Sequence, residues 1–180
     1  MPSIQAGYVP IFIGSYRFIQ FRRLFRIGSS GVPVGNNNAV QDARLILQLD
    51  RLREEAEMRK ARRWWNDDFW PRSAADYLKI EMAHGTQQNK WLRQVATFWG
   101  MAASFVLDGT LGEKAFLRPQ FSGEMFVMFA KVQPLLKQLR DRTNNPDFMA
   151  NIEQLIRNSK EARERLRDAS KRITTRRKVA

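Results

Sequence analysis

Two apolar stretches decide the fold of this chain: residues 91–107, WLRQVATFWGMAASFVL, and residues 125–139, MFVMFAKVQPLLKQL. In both, large apolar side chains recur every three or four residues, which is the period of an α-helix. The first stretch is apolar almost all round, so it predicts a buried central helix. We expect the two helices to pack antiparallel as the centre of the domain, because only a loop and one short turn separate them.

The second of these helices contains a proline. The apolar pattern predicts a helix over about residues 124–142, with Pro134 inside it. Because proline removes the hydrogen bond to the carbonyl of Ala130, the sequence predicts a kink there.

The first helix of the domain is expected to begin after Asn38 and to run unbroken into residues 64–70, where Pro71 stops it. The aromatic rings of this stretch are interpreted as core at the junction of two helices, although rings beside basic residues 59–63 also suit base stacking.

Short polar motifs predict where the next helices begin and end. Ser73 with Asp76 predicts the capped start of a short helix, and Thr86 begins the following helix. Asp108-Gly109 is expected to close that helix with a left-handed residue. A loop then leads to a helix with Pro146 at its first position.

These patterns predict an all-α protein, a compact irregular bundle of about five helices. The expected parts are a flexible N-terminal arm (residues 1–38), a helical core (residues 39–158) and a basic helical tail (residues 159–180). The net charge of +13 follows this division: the arm carries +4, residues 64–156 carry zero and residues 157–180 carry +7. The positive charge therefore lies mostly outside the core.

The inventory of reactive side chains is small. The chain has no cysteine and one histidine, His84, which forms half of a di-iron carboxylate motif with Glu81. Asp67 with Asp68, or Glu124 with Glu153, supply carboxylate pairs, but their spacing matches ordinary helix ends. We therefore predict no catalytic residue, no metal site and no cofactor, and expect the protein not to be an enzyme.

The middle of the chain, about residues 42–156, resembles a group of uncharacterised bacterial proteins of the domain-of-unknown-function kind. The resemblance rests on several short stretches: residues 42–47, Asn89-Lys-Trp-Leu-Arg93, Phe98-Trp99, Asp108-Gly109-Thr-Leu111, Gly123-Glu124, Pro134 with Arg140, and Asn145-Pro146 with Glu153. The resemblance implies no activity and no ligand, and residues 1–38 lie outside it.

The arm and the tail each suggest a partner. Residues 8–27 are either a poorly ordered extension or an interfacial helix that contacts a membrane surface. Its candidate membrane contacts are Phe18, Phe21, Arg22, Arg23, Phe25 and Arg26. The tail is either a solubilising end or a nucleic-acid contact that reads phosphates without reading bases. Its candidate phosphate contacts are Lys171, Arg172, Arg176, Arg177 and Lys178.

No stretch approaches the roughly 18 apolar residues of a spanning helix, and no secretory signal is evident, so a cytoplasmic location is expected, with attachment to the membrane surface as a further option. The functional hypothesis is a non-enzymatic helical module of the bacterial cytoplasm that binds a protein partner. Its alternatives are nucleic-acid association through the tail and peripheral membrane association through residues 8–27.

Overall fold

A computed structural model describes residues 37–179, with side chains for residues 38–176. All regular secondary structure in this part of the chain is helical, which confirms the predicted all-α class. The helices are α1 (Asn37–Glu54), α2 (Ala56–Asp67), α3 (Ala74–Glu81), α4 (Gln87–Leu107), α5 (Glu113–Phe116), α6 (Pro119–Val132), α7 (Leu136–Thr143), α8 (Ala150–Asn158) and α9 (Lys160–Val179). None of these described helices is both long and apolar enough to cross a membrane.

The first predicted helix is divided in two. Glu55 leaves the helical conformation, with φ −58° and ψ 140°, and separates α1 from α2. The prediction of an unbroken helix was wrong because the break has no glycine or proline to mark it in the sequence. Helix α1 packs on α2 and α5, whereas α2 packs mainly on α4.

The helix ends between α3 and α5 follow the predicted chemistry. Ser73 and Asp76 form a reciprocal capping box at the start of α3. The Thr86 hydroxyl accepts a hydrogen bond from the backbone N–H of Asn89 and begins α4. Gly109 follows α4 with φ 71°, the left-handed conformation that glycine adopts at little cost. These three predictions are confirmed.

The proline break is confirmed as well. Pro134 lies in a 3-10 turn, Gln133–Leu135, that separates α6 from α7. Helix α6 begins earlier than predicted, at Pro119, where proline fits the first turn. Helix α8 begins later than predicted, at Ala150 rather than Pro146, because residues 146–149 form turns.

Both apolar stretches are buried, including Phe98, Trp99, Phe129 and Leu136. They do not form an antiparallel central pair, however, and that prediction was wrong. The main partners of α4 are α2 and α8, and the main partner of α6 is α9. Helices α4 and α6 meet where Trp99 lies edge-on to Phe121, with ring centroids 5.9 Å apart.

The C-terminal helix is attached to the core along one side. Its narrow apolar seam is buried, and α6 and α8 are its main partners. The seam consists of Ala162, Leu166, Ala169 and Ile173.

The aromatic rings after α2 fill the junction between helices, as predicted. Trp64 and Phe69 stack with centroids 4.7 Å apart, and Trp65 lies edge-on to Phe69 at 4.9 Å. All three rings are buried, so their faces are not available as a platform for bases.

Candidate functional site

A groove runs beside the break between α6 and α7, where α8 and α9 face it. It consists of two adjoining depressions, of about 440 Å³ and about 760 Å³, which share Gln133 and Glu153. Apolar side chains of the core line it: Phe129, Leu136, Ile156 and Leu166. We call this surface the basic groove because five cationic side chains also line it: Lys137, Arg140, Arg157, Arg163 and Arg167.

Local sequence signals build the groove. Pro134 interrupts the helical hydrogen bonding, so the chain passes through a 3-10 turn at the groove wall. Asn144, with φ 49°, ends α7 in the left-handed conformation that asparagine tolerates. Ser159 is extended, and its hydroxyl accepts from the N–H of Ala162 to start α9. These three changes of direction bring α6, α8 and α9 to one surface.

One carboxylate lies at the point common to both depressions. Oε2 of Glu153 accepts a hydrogen bond from Nη2 of Arg140 at 2.9 Å and lies 3.5 Å from Nη2 of Arg157. Arg140 is fixed further by two hydrogen bonds to the carbonyl of Phe148, at 3.1 Å and 2.9 Å. The Glu153 side chain is 33% exposed, so this ion cluster faces solvent.

The cations of the groove that lie on α8 and α9 have exposed side chains. The side chains of Arg157 and Arg167 are 72% and 70% exposed. Arg167 lies 3.9 Å from its nearest carboxylate oxygen, on Glu164, while Arg163 donates a short hydrogen bond to the carbonyl of Arg157. The groove contains two carboxylates, Asp141 and Glu153, against its five cations, so its net charge is +3.

A second carboxylate held by two arginines lies inside the core. Oε2 of Glu124 accepts from Nε of Arg62 at 2.7 Å and from Nη2 of Arg53 at 3.1 Å. Arg53 also donates to the carbonyl of Phe121 at 3.3 Å, and its guanidinium lies 5.3 Å from the centre of the Trp99 ring. The Glu124 and Arg53 side chains are only 9% and 8% exposed. This cluster joins α1, α2 and α6.

A buried lysine closes the end of α2. Nζ of Lys131 donates to three carbonyls, those of Trp65, Asn66 and Phe69, at 2.5, 3.1 and 3.1 Å. The ammonium also lies 3.7 Å from the centre of the Trp70 ring, over which Arg176 packs at 4.8 Å. A positive group at a helix C-terminus offsets the negative end of the helix dipole. Lys131 is therefore a structural cation of the core.

The structure describes the side chains of three of the five residues predicted to contact phosphates. Lys171 and Arg172 are exposed, and Arg176 packs over Trp70. The side chains of Arg177 and Lys178 lie outside those described, as do the six predicted membrane contacts: Phe18, Phe21, Arg22, Arg23, Phe25 and Arg26. Both predictions therefore stay predictions.

Glu81 and His84, which match half of a di-iron motif in the sequence, differ in how far their side chains are exposed to solvent. His84 is exposed, whereas Glu81 is partly buried, and this burial raises the pKa of Glu81 although Arg93 and His84 act in the opposite direction. Within residues 37–179, no three histidine, cysteine or acidic side chains are grouped closely enough to hold a metal ion.

Sequence reasoning missed the groove. Its cations come from α7, α8 and α9, and only the fold brings them together. One signal was present: Arg163 and Arg167 are four residues apart, which places them on the same flank of α9 beside Leu166.

Comparison with known proteins identifies the family of this chain but gives no activity or ligand. No curated protein and no solved structure matches the chain. One family model, described as a domain of unknown function (DUF4760), matches residues 38–159, which include α1 through α8 apart from the first residue of α1. This confirms the resemblance inferred from the sequence: the chain belongs to the DUF4760 family.

Proposed function

We propose that this protein is a non-enzymatic helical interaction module of the bacterial cytoplasm, and that a protein partner occupies the basic groove. The observation that carries the proposal is the groove itself, where exposed arginine side chains surround core apolar residues such as Ile156 and Leu166. Protein interfaces combine apolar contact at the centre with a polar rim, and arginine is enriched in them.

The arrangement of the ionisable groups supports a binding role over a catalytic one. Glu124 is held by Arg53 and Arg62, and Lys131 is held by three carbonyls, so these buried groups join helices to one another. A catalytic acid or base needs contact with a substrate, whereas the side chain of Glu124 is only 9% exposed and Lys131 is buried.

A photo-crosslinking experiment tests the proposal. A benzoylphenylalanine is placed at Gln133, which is exposed and common to both depressions, and in a control chain at Gln48, which is exposed on α1. After irradiation in living cells, we expect a protein adduct from position 133 that position 48 does not give. Adducts with nucleic acid alone at position 133, or no adduct, would refute the proposal.

The non-enzymatic part is tested separately. Purified protein is incubated with a metabolite extract, and the composition is compared before and after by mass spectrometry. We expect no turnover. Turnover that Glu153→Gln abolishes would show a reaction in the groove and would refute this part.

A further inference from the structure

We propose that the basic groove recognises an acidic segment of a protein, whose carboxylates pair with Arg157, Arg163 and Arg167. This inference rests on the proposed function and gives the partner a chemical class. An acidic segment is complementary to a surface of net charge +3 that includes core apolar side chains.

Two of the arginines are available for a new carboxylate. Arg157 and Arg167 are mostly exposed, and their nearest carboxylate oxygens lie 3.5 Å and 3.9 Å away, at the long end of ion-pair distances. Exposed pairs of this kind contribute little stability, so an incoming carboxylate replaces them at little cost. The planar guanidinium group also matches the geometry of a carboxylate.

Glu153 shows how the groove binds a carboxylate. Its carboxylate lies between Arg140 and Arg157 at the point where the two depressions join. Lys137 lines one depression, and Arg163 and Arg167 line the other, so cations that do not hold Glu153 lie on both sides of it. A segment with acidic residues on both sides of an uncharged residue therefore fits the groove, with the uncharged residue next to Glu153.

The same charges disfavour nucleic acid in this groove. Asp141 and Glu153 repel any anion beside them, but a nucleic acid carries a charge at every phosphate, whereas a peptide can place an uncharged residue next to Glu153. The one aromatic residue among the groove lining, Phe129, is buried and offers no ring face for a base.

Fluorescence polarisation with the full chain tests the inference. The probe is a labelled peptide of alternating glutamate and leucine, compared with the same peptide carrying glutamine for glutamate and with oligothymidylate. We expect saturable binding of the acidic peptide that weakens as salt rises, and much weaker binding of the other two. Equal binding of the glutamine peptide, or tighter binding of oligothymidylate, would overturn the inference.

Matched variants locate the binding. Arg157→Gln with Arg167→Gln removes two exposed groove cations, and Arg59→Gln with Arg63→Gln removes two exposed cations from α2. We expect the groove variant to weaken peptide binding about tenfold or more, and the α2 variant to change it by about twofold or less. Equal losses in the two variants would show that only overall charge matters, which would overturn the inference.

A charge-retaining variant and melting curves show whether lost binding results from misfolding. Arg157→Lys with Arg167→Lys keeps both charges but loses the planar guanidinium groups, so it is expected to bind more weakly than the parent and more tightly than the glutamine variant, while melting curves compare all variants. If position 133 crosslinks a protein but the groove variant binds the acidic peptide normally, the partner class is wrong and the proposed function stands. If position 133 gives no protein adduct, the proposed function itself is wrong.

Discussion

Glu124 and Glu153 are each held by two arginines, but the carboxylate of one cluster is more enclosed than that of the other. Arg53 and Arg62 hold Glu124, whose side chain is 9% exposed; Arg140 and Arg157 hold Glu153, whose side chain is 33% exposed. The same pairing of one carboxylate with two arginines therefore has a different role in each cluster. Around Glu124 the ions are part of the core, whereas around Glu153 they remain exchangeable with a partner.

The difference follows from solvation. Removing one member of a buried ion pair leaves an uncompensated charge away from water, whereas an exposed pair loses little when it is broken. The inner cluster should therefore dominate stability and the outer cluster should dominate binding. Four substitutions, two in these clusters and two at other buried or partly buried ionisable groups, test this role of solvation, in descending order of expected effect.

The largest effect is expected for Glu124→Gln. It removes the anion that Arg53 and Arg62 share and leaves them only the exposed carboxylates of Asp50 and Glu54, at 3.4 Å and 3.5 Å, so the free energy of unfolding should fall by about 3–4 kcal/mol. Urea denaturation followed by circular dichroism measures the change. Glu113→Gln, at an exposed carboxylate of α5, is the control of equal charge change. Similar losses in both variants would show that enclosure of the Glu124 cluster is unimportant.

Lys131→Met comes next. The methionine side chain is unbranched like that of lysine, although one atom shorter, and it donates no hydrogen bond, so the carbonyls of Trp65, Asn66 and Phe69 lose a common donor. We expect a loss of about 2–3 kcal/mol in the same denaturation experiment. Lys137→Met, at an exposed groove lysine, should change stability by less than about 0.5 kcal/mol. A loss as small in Lys131→Met would contradict the structural role of this cation.

Glu153→Gln should affect stability and binding in opposite directions. It breaks a partly exposed ion cluster, so we expect a stability loss of at most about 1 kcal/mol. Because the groove then has one carboxylate fewer, its affinity for the acidic peptide should rise about two- to threefold. A weaker affinity would mean that Glu153 contributes a contact to the peptide rather than repelling its carboxylates.

The smallest effect is expected for Glu81→Gln, which removes a partly buried carboxylate of α3. Burial raises the pKa of Glu81 above its ordinary value of 4.5, so the folded state prefers the protonated form. The resulting penalty is absent at low pH and develops as the pH rises through the raised pKa. The variant should therefore gain stability relative to the parent on going from about pH 4 to about pH 7.

Denaturation at the two pH values measures this gain. Asp76→Asn is a contrasting variant, because the N–H groups of Arg72 and Ser73 lower the pKa of Asp76. Its parent should gain stability over the variant as the pH rises from about 2 to about 5, because the effect of a lowered pKa lies below the ordinary value of 3.8. Parallel behaviour of the two variants would contradict the assigned cause of the Glu81 shift.

Local chemistry made much of the fold predictable. The cap at Ser73, the glycine after α4 and the break at Pro134 each depend on side chains next to the affected backbone. The break at Glu55 was not predictable in this way, because no neighbouring residue requires it. It places Arg53 and Arg62 on separate helices that reach the same carboxylate, a contact with a residue about 60–70 positions away.

The groove was unpredictable for the same reason. Helix periodicity indicates which side of α9 is buried, but it does not indicate which other helix lies beside Arg163 and Arg167. The partner of α6 was expected to be α4 and is α9 instead. Once that pairing is known, the basic flank of α9 and Glu153 of α8 form one surface.

The attachment of α9 limits how its charge can be removed. Ile173 lies in the buried seam, and Arg176 covers the ring of Trp70, so truncation before Lys171 would take both contacts away along with the cations. If a shortened chain no longer bound polyanions, the experiment would not separate the effect of the missing charge from that of the newly exposed hydrophobic surface. Replacing Lys171 and Arg172 by glutamine separates the two, because those side chains point into solvent while the helix beneath them stays in place.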